Sequence, residues 1–297
     1  VGLIATPAIL DRNDTKDFAL ATEPTIVGGP STLTPGAAWF DRFDYSGCPP
    51  GEHPCSWAQG EALKGMVIGD SHAAMLVTAL TEIAGRHDVE LVSGLMRYCP
   101  WPWGLGYRNV GGDCFDQQDE LYLHRIAEVD PDVVFLAHRP IDDPHNASAT
   151  RDRDTGHLAG EAERDAAVEQ RMTELVARLR EEGRTVVMFE PVPPSPLPLD
   201  PRECLSTAEI EESCRFVAQG PTPQEQVMRR LADDDDRVMS VDLDPLVCPF
   251  LPICDPIVGG IIVMVDDNHL SDSFVRTLVD PLDEYLVGQG VFRPRSA

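Results

Sequence analysis

No apolar run in the chain approaches the roughly 18 residues that a membrane-spanning helix requires. No charged leader with a cleavage site precedes the first strand pattern. Cations are scarce: 24 Lys and Arg stand against 50 Asp and Glu, a formal net charge of −26. Nucleic acids and anionic lipid surfaces both reward Lys and Arg, so neither is expected as a partner. The acidity also weighs against a strongly anionic glycan as substrate. Cysteines at C-x-x-C spacing are absent, which removes the usual structural zinc pattern. Asp233-Asp234-Asp235-Asp236 lacks the alternating ligands and the glycine of a calcium loop and reads as an exposed loop. The sequence therefore calls for no metal and no cofactor, and no internal repeat is evident.

What is present is an ordinary globular composition, 42% hydrophobic and 25% charged over 297 residues, enough to bury a full core. The chain starts at Val1 rather than Met, which we read as an excised domain or a mature product. Residues 1–45 are rich in Pro, Gly, Thr and Asp and read as a linker or a wrapping N-terminal extension, leaving 46–297 as the folded domain. Strands near 66–69, 89–93, 133–137, 185–189 and 237–241 alternate with helical segments. The clearest helix runs from Glu161 to Glu182, with Val168, Met172, Leu175, Val176 and Leu179 on one stripe. This alternation predicts an α/β fold: a three-layer α/β/α sandwich, flavodoxin-like, around a central parallel sheet. Ligands of such sheets bind beyond the carboxyl ends of the strands.

The eight cysteines fall into near neighbours: Cys48 with Cys55, Cys99 with Cys114, Cys204 with Cys214, and Cys248 with Cys254. Eight cysteines allow about 105 connectivities, but the short Pro- and Gly-flanked loops favour pairing within each neighbour set. Four local disulfides place the chain outside the cytoplasm.

Two short stretches carry chemistry. In Met66-Val67-Ile68-Gly69-Asp70-Ser71-His72, an isolated Ser stands between an apolar strand and a helical pattern of Ala74, Leu76, Val77, Leu80, Ile83 and Ala84. A Ser there projects from the carboxyl end of a sheet, with free N–H groups of a helix start beside it. The alternative is that Ser71 only caps the helix. Near the other end, the apolar strand pattern Ile261-Ile262-Val263-Met264-Val265 runs into Asp266-Asp267-Asn268-His269-Leu270-Ser271. Asp266 and His269 are spaced so that a turn brings the carboxylate to one ring nitrogen while the other faces a nucleophile. Asp267 is the alternative acid. His72 diverges from Ser71 on the helix and reads as a shaping or substrate-contacting residue rather than the base.

Gly69-Asp70-Ser71 and Asp266-x-x-His269, each after an apolar strand, together resemble the first and last sequence blocks of the SGNH hydrolase superfamily. Gly-Asp-Ser-His with Asp-Asp-Asn-His-Leu-Ser and flanking cysteine pairs is similar, more narrowly, to the extracytoplasmic SGNH domain fused to membrane acyltransferases of the acyltransferase-3 family. The resemblance implies Ser71 as nucleophile, His269 as general base and Asp266 as orienting acid. It implies an oxyanion hole made by the Ser71 N–H, by Gly94 after the next strand, and by an Asn after the strand following that. His138-Arg139-Pro140 stands where the Asn is expected, so Arg139 or His138 takes the third place; we favour Arg139.

The aromatic patch in the Cys99–Cys114 loop adds Trp101 and Trp103 as a glycan platform, or as cover for a sheet edge. Six prolines between Pro191 and Pro201 predict a stiff extended loop. The function implied is O-acylation, commonly O-acetylation, of a cell-envelope carbohydrate, with the acyl donor supplied by an upstream membrane acyltransferase portion that also tethers the domain. The alternatives are a secreted carbohydrate esterase and a catalytically silent glycan-binding module.

Overall fold

A computed structural model describes residues 35–38, 40–44, 47–48, 55–107, 114–141, 150–158, 160–196 and 199–293. Most of the N-terminal extension, residues 1–34, lies outside this set, as does Pro198 of the proline-rich loop. The chain divides into two compact units. One, the sheet unit, comprises Asp44–Pro191, Pro221–Val241 and Gly290–Ala297; the second comprises Val1–Phe43, Val192–Gly220 and Asp242–Gln289.

The sheet unit is built on six strands: β1 (Ser56–Ala58), β2 (Leu63–Gly69), β3 (Val89–Leu95), β4 (Val133–Ala137), β5 (Thr185–Phe189) and β6 (Val238–Val241). Their order in the sheet is β1-β3-β2-β4-β5-β6. The five long strands expected from sequence are all present and parallel, and the short β1 adds an antiparallel edge on β3. Every residue of β4 and β5 is buried, the continuous apolar pattern of strands covered on both faces.

Helix α1 (Ser71–Met75) and α2 (Val77–Arg86) follow β2, α3 (Glu161–Glu181) precedes β5, and α4 (Pro223–Asp234) precedes β6. Met66 and Ile68 of β2, Val134 and Leu136 of β4, and Val186 and Met188 of β5 share one face and pack with the predicted stripe of α3, Val168, Met172, Leu175, Val176 and Leu179. The alternation of these sheet positions is the two-residue period of a strand meeting the helical period of α3. Two details differ from expectation. The helical pattern after Ser71 breaks at Leu76 into two helices. The acidic run is not simply a loop: Asp233 and Asp234 end α4, and Asp235 accepts hydrogen bonds from Arg180 and from the Arg237 N–H.

The second unit is built of short helices, the longest Val279–Gly288, and two-residue strands. Ile261-Ile262 pairs with Ile257-Val258 in a two-stranded hairpin turned by Gly259 and Gly260, both at positive φ. The predicted strand through Val265 is therefore only two residues long and belongs to this hairpin. Beyond Ile262 the chain leaves the ladder: the Val263 N–H bonds to the Pro256 carbonyl, and the Val265 N–H turns back to the His269 carbonyl. All four neighbour pairs of cysteines form disulfides, with Cα–Cα distances of 5.7, 5.4, 5.7 and 4.5 Å in chain order. Cys48–Cys55 and Cys99–Cys114 lie in the sheet unit, the other two in the second unit. Among the described residues, no helix is long and apolar enough to cross a membrane.

Candidate active site

Ser71 stands at the carboxyl end of β2, the strand-to-helix junction the sequence assigns it, and the turn that presents it is fixed by its two predecessors. Gly69 has φ +143°, and a Cβ there would sit 1.7 Å from the Ala137 carbonyl oxygen at the end of β4. Only glycine fits. The Asp70 carboxylate accepts the His72 N–H at 2.9 Å and the Arg139 N–H at 3.1 and 3.2 Å, so this one buried side chain caps α1 and ties it to the loop after β4. The cap is thus Asp70, while Ser71 is the first residue inside the helix. The reading of Ser71 as a mere cap loses its ground.

The oxyanion candidates are placed unevenly. Gly94 lies inside β3, opposite Ile68, rather than after it. A Cβ on Gly94 would come within 2.9 Å of the Ile68 side chain and of the Val67 carbonyl, so close strand packing by itself requires glycine here. The Arg139 amide is committed to Asp70, and its carbonyl accepts the Tyr107 hydroxyl at 2.8 Å. His138 is buried, 3.3 Å from the Gln224 side-chain oxygen through Nε2 and edge-on to Trp101. Burial, only partly offset by the Gln224 bond, pushes its pKa down to about 3, so it is a neutral residue of the core.

Two expected substrate contacts are closed to solvent. His72 is 2% exposed and Trp101 is 0% exposed, its carbonyl accepting the Tyr122 hydroxyl. Both serve packing beneath the surface, because a ring with no accessible face has nothing to stack on a sugar. Trp103 differs. Its Nε1 donates to Asp119 at 2.9 Å, the Arg178 guanidinium lies 4.6 Å from its ring centre, and it lines a pocket of about 310 Å³ with Gly104, Arg153, Arg171, Leu175 and Arg178. The loop bearing it is clamped by the fully buried Gln118, which accepts the Gly104 N–H and donates to the carbonyls of Pro100, Pro102 and Leu105.

In the second unit, Asp266 and His269 are brought together by a tight turn. The isolated bridge between Met264 and Leu270 closes it, with the Val265 N–H on the His269 carbonyl at 2.9 Å. Inside the turn, Oδ1 of Asp266 accepts the N–H groups of Asn268 (3.0 Å) and His269 (2.8 Å), and the His269 Nδ1 lies 3.0 Å from each carboxylate oxygen. Asp266, not Asp267, is the acid on the ring; the Asp267 carbonyl instead accepts the Ser195 N–H. Burial alone would raise the Asp266 pKa. The bond to His269 and its charge, together with the Asn268 N–H and Arg42, overcome this and hold the carboxyl well below the usual carboxylate range. An ionised Asp266 favours the tautomer with the proton on Nδ1, which leaves the lone pair on Nε2.

One residue at this turn escapes sequence reasoning: Nη2 of Arg42 donates to Oδ2 of Asp266 at 2.8 Å across 224 positions. No local signal marks it, since it lies at the edge of the Pro- and Gly-rich extension. Among the described residues no cluster of His, Cys, Asp and Glu is arranged to hold a metal ion.

A family model described as an SGNH domain fused to AT3 domains matches residues 40–284. Among solved structures, the chain is similar to the periplasmic domain of a lipopolysaccharide acetyltransferase from Salmonella ser. Paratyphi A, at 14% identity over 77% of this chain and 85% of that one, with a TM-score of 0.52. It is also similar to a family two carbohydrate esterase from Clostridium thermocellum in complex with cellohexaose, at 12% identity over 79% of this chain and 66% of that one, with a TM-score of 0.45. A comparison with curated proteins finds no match.

Proposed function

The chain belongs to the SGNH domains that are fused to AT3 domains, and from that membership we propose that it transfers acyl groups, commonly acetyl, to hydroxyls of a cell-envelope carbohydrate. Domains of this hydrolase class are enzymes, and what distinguishes a transferase from an esterase is the acceptor. In our reading the Ser71 Oγ attacks the carbonyl carbon of an acyl donor while the His269 Nε2 takes its proton. The negative charge on the carbonyl oxygen is met by the Ser71 N–H, with Gly94 and Arg139 as further donors. The leaving group departs with the proton from His269, and the acyl group stays on Ser71. A sugar hydroxyl then gives its proton to Nε2 and attacks, and Ser71 is released with the proton returned. Asp266 stays ionised throughout and holds the imidazole in the required tautomer.

The observation that carries this reading is the Asp266 carboxylate at 3.0 Å from Nδ1 of His269. The donor is supplied by the membrane acyltransferase portion to which such domains are fused, on the outer side of the membrane. The four disulfides support that location, where the domain is tethered to that membrane portion.

A fluorophosphonate probe tests the nucleophile: mass spectrometry is expected to find one adduct, on Ser71, and no adduct on the folded protein refutes the reading. Incubation with an activated acetyl ester and an envelope oligosaccharide then tests transfer. Acetylated sugar supports it, whereas acetate alone assigns an esterase. The absent Asn after β4 favours a second reading, a silent glycan-binding module, which predicts carbohydrate binding with no adduct on Ser71.

A further inference from the structure

We infer that Arg42 is a positioning residue of the active site, holding the far oxygen of Asp266 so that the carboxylate keeps its orientation and its charge balance toward His269. The inference rests on the reading of Asp266 and His269 as the acid and base of the site.

The turn itself supplies partners mainly for one oxygen of Asp266. The N–H groups of Asn268 and His269 both point at Oδ1, and the ring N–H lies equally close to both oxygens. Oδ2 gets its other donor from Arg42, at 2.8 Å, with 36% of the Arg42 side chain and 17% of the Asp266 side chain accessible. A carboxylate held on one oxygen only can swing about its terminal torsion, which is soft; a second charged donor on the opposite oxygen removes that freedom.

Arg42 does not reach the turn by chance of a long side chain. Its neighbour Asp41 is stitched to the segment just beyond His269. The Asp41 carbonyl accepts the Asp272 N–H at 2.9 Å, and its carboxylate accepts the Ser273 N–H at 3.2 and 3.3 Å, at the first turn of helix α5 (Asp272–Thr277). Further back, Ala38 is buried in a cluster with Leu205, Cys214 and Ile262. Two consecutive residues thus bracket the acid–base turn: Asp41 binds the helix that follows it, and Arg42 binds the acid within it.

The electrostatic consequence has a definite sign. Among the described residues, the charged groups near the dyad include Arg42 on the acid, Asp267 beside it, Asp41 and Asp272 at the start of α5, the latter paired with Arg276, and Arg202, which donates to the Val265 carbonyl and pairs with Asp200. Among the described residues, Arg42 is the cationic side chain bonded to Asp266 besides the His269 ring contact. Arg42 offsets part of the Asp266 charge that faces the His269 ring. Removing the cation leaves that charge undivided, and the acid limb of any His269-dependent step is expected to move to higher pH.

The test uses Ser71 labelling by a fluorophosphonate as a function of pH, in the wild type, R42M and R42K, with NMR titration of the His269 ring in the same proteins. In R42M the midpoint of the acid limb and of the ring titration is expected to rise by about 0.2 to 0.7 pH units, the range of one partly exposed ion pair. The plateau rate is expected to fall severalfold. R42K, which keeps the charge but loses the planar guanidinium, restores the midpoint and only part of the rate. The rise shrinks in about 1 M salt, where the Debye length falls to about 3 Å. A lower rate with both midpoints unmoved would mean that Arg42 only holds the segment in place, and the inference falls. A wild type that is not labelled overturns the catalytic reading, and the ring titration still decides whether Arg42 acts on the dyad.

Discussion

Ser71 is held in the sheet unit by backbone geometry: a strand in the middle of a six-stranded sheet, a glycine that no other residue can replace, and a helix cap. Asp266 and His269 are held in the second unit by side-chain bonds, on a turn that follows a hairpin of two-residue strands and has an arginine from 224 positions away on its acid. The first arrangement derives its precision from burial, which is cooperative and insensitive to single surface charges. The second derives it from a few polar contacts, each replaceable and each open to tuning by charge, pH and salt. A nucleophile needs only to be in place, whereas a base must also have the right affinity for a proton, and polar contacts are the means of setting that.

The sharpest way to break the comparison is to ask whether the two regions serve one reaction. S71A and H269A are each expected to lower the activity by roughly 10³-fold or more. The double variant S71A/H269A should be no worse than either single one, because groups that act in one step are not additive. Additive losses would mean that the two regions act separately. Neither single variant should shift the melting temperature appreciably, since both side chains sit at the edge of their packing.

The next largest effect separates backbone from side-chain control. G69A puts a methyl group into the Ala137 carbonyl at a positive φ and is expected to destabilise the protein by on the order of 3 kcal/mol or more in denaturant unfolding. In the second unit, Gly259 also has a positive φ, +59°, but nothing lies within 4 Å of an added Cβ. G259A is expected to cost only the left-handed strain, about 1 to 2 kcal/mol. Equal costs at the two sites would remove the distinction drawn here. Between these lies the covalent contribution: C204S/C214S opens a loop with a sequence separation of 10, worth roughly 2 to 3 kcal/mol in the chain-entropy model. Its effect should appear first as loss of Ser71 labelling and faster hydrogen exchange at Val263–Leu270, with the β2 and β4 amides still protected.

The same contrast explains what was legible in the sequence. The five parallel strands and the α3 stripe could be read directly, because a buried sheet and a long helix each impose a period on their own residues. The disulfide pairs were legible for a similar reason, since short loops make closure local. The strand assigned to Ile261–Val265 was overread: five apolar residues in a row satisfy the pattern of a buried strand, but three of them are buried in a turn without a ladder. Aromatic content does not say which ring is covered, and of the two readings open for the loop, Trp101, wholly inside, fits cover while Trp103 lines a pocket. Arg42 was invisible, as any contact between distant segments is when neither carries a pattern. The hold of Asp70 on the Arg139 amide carries no local signal for the same reason.

The smallest expected effect tests whether ionic contacts in the second unit matter as a class or only where they meet the acid. Arg276 on α5 donates twice to Oδ2 of Asp272, at 3.0 and 2.7 Å, a geometry as good on paper as that of Arg42 on Asp266. Its side chain is 61% accessible, however, and the pair lies along one helix at i,i+4 spacing. Such pairs contribute about 0.3 to 0.5 kcal/mol, screened by salt. R276A should therefore change unfolding by no more than about 0.5 kcal/mol and leave the acid limb of Ser71 labelling where it is. If R276A moved that limb as far as R42M, the effect would be one of net charge on the unit, and the bond from Arg42 to Asp266 would have no special standing. A limb that moves only for Arg42 ties the tuning to direct contact with the acid, and so to the segment just before the sheet unit begins.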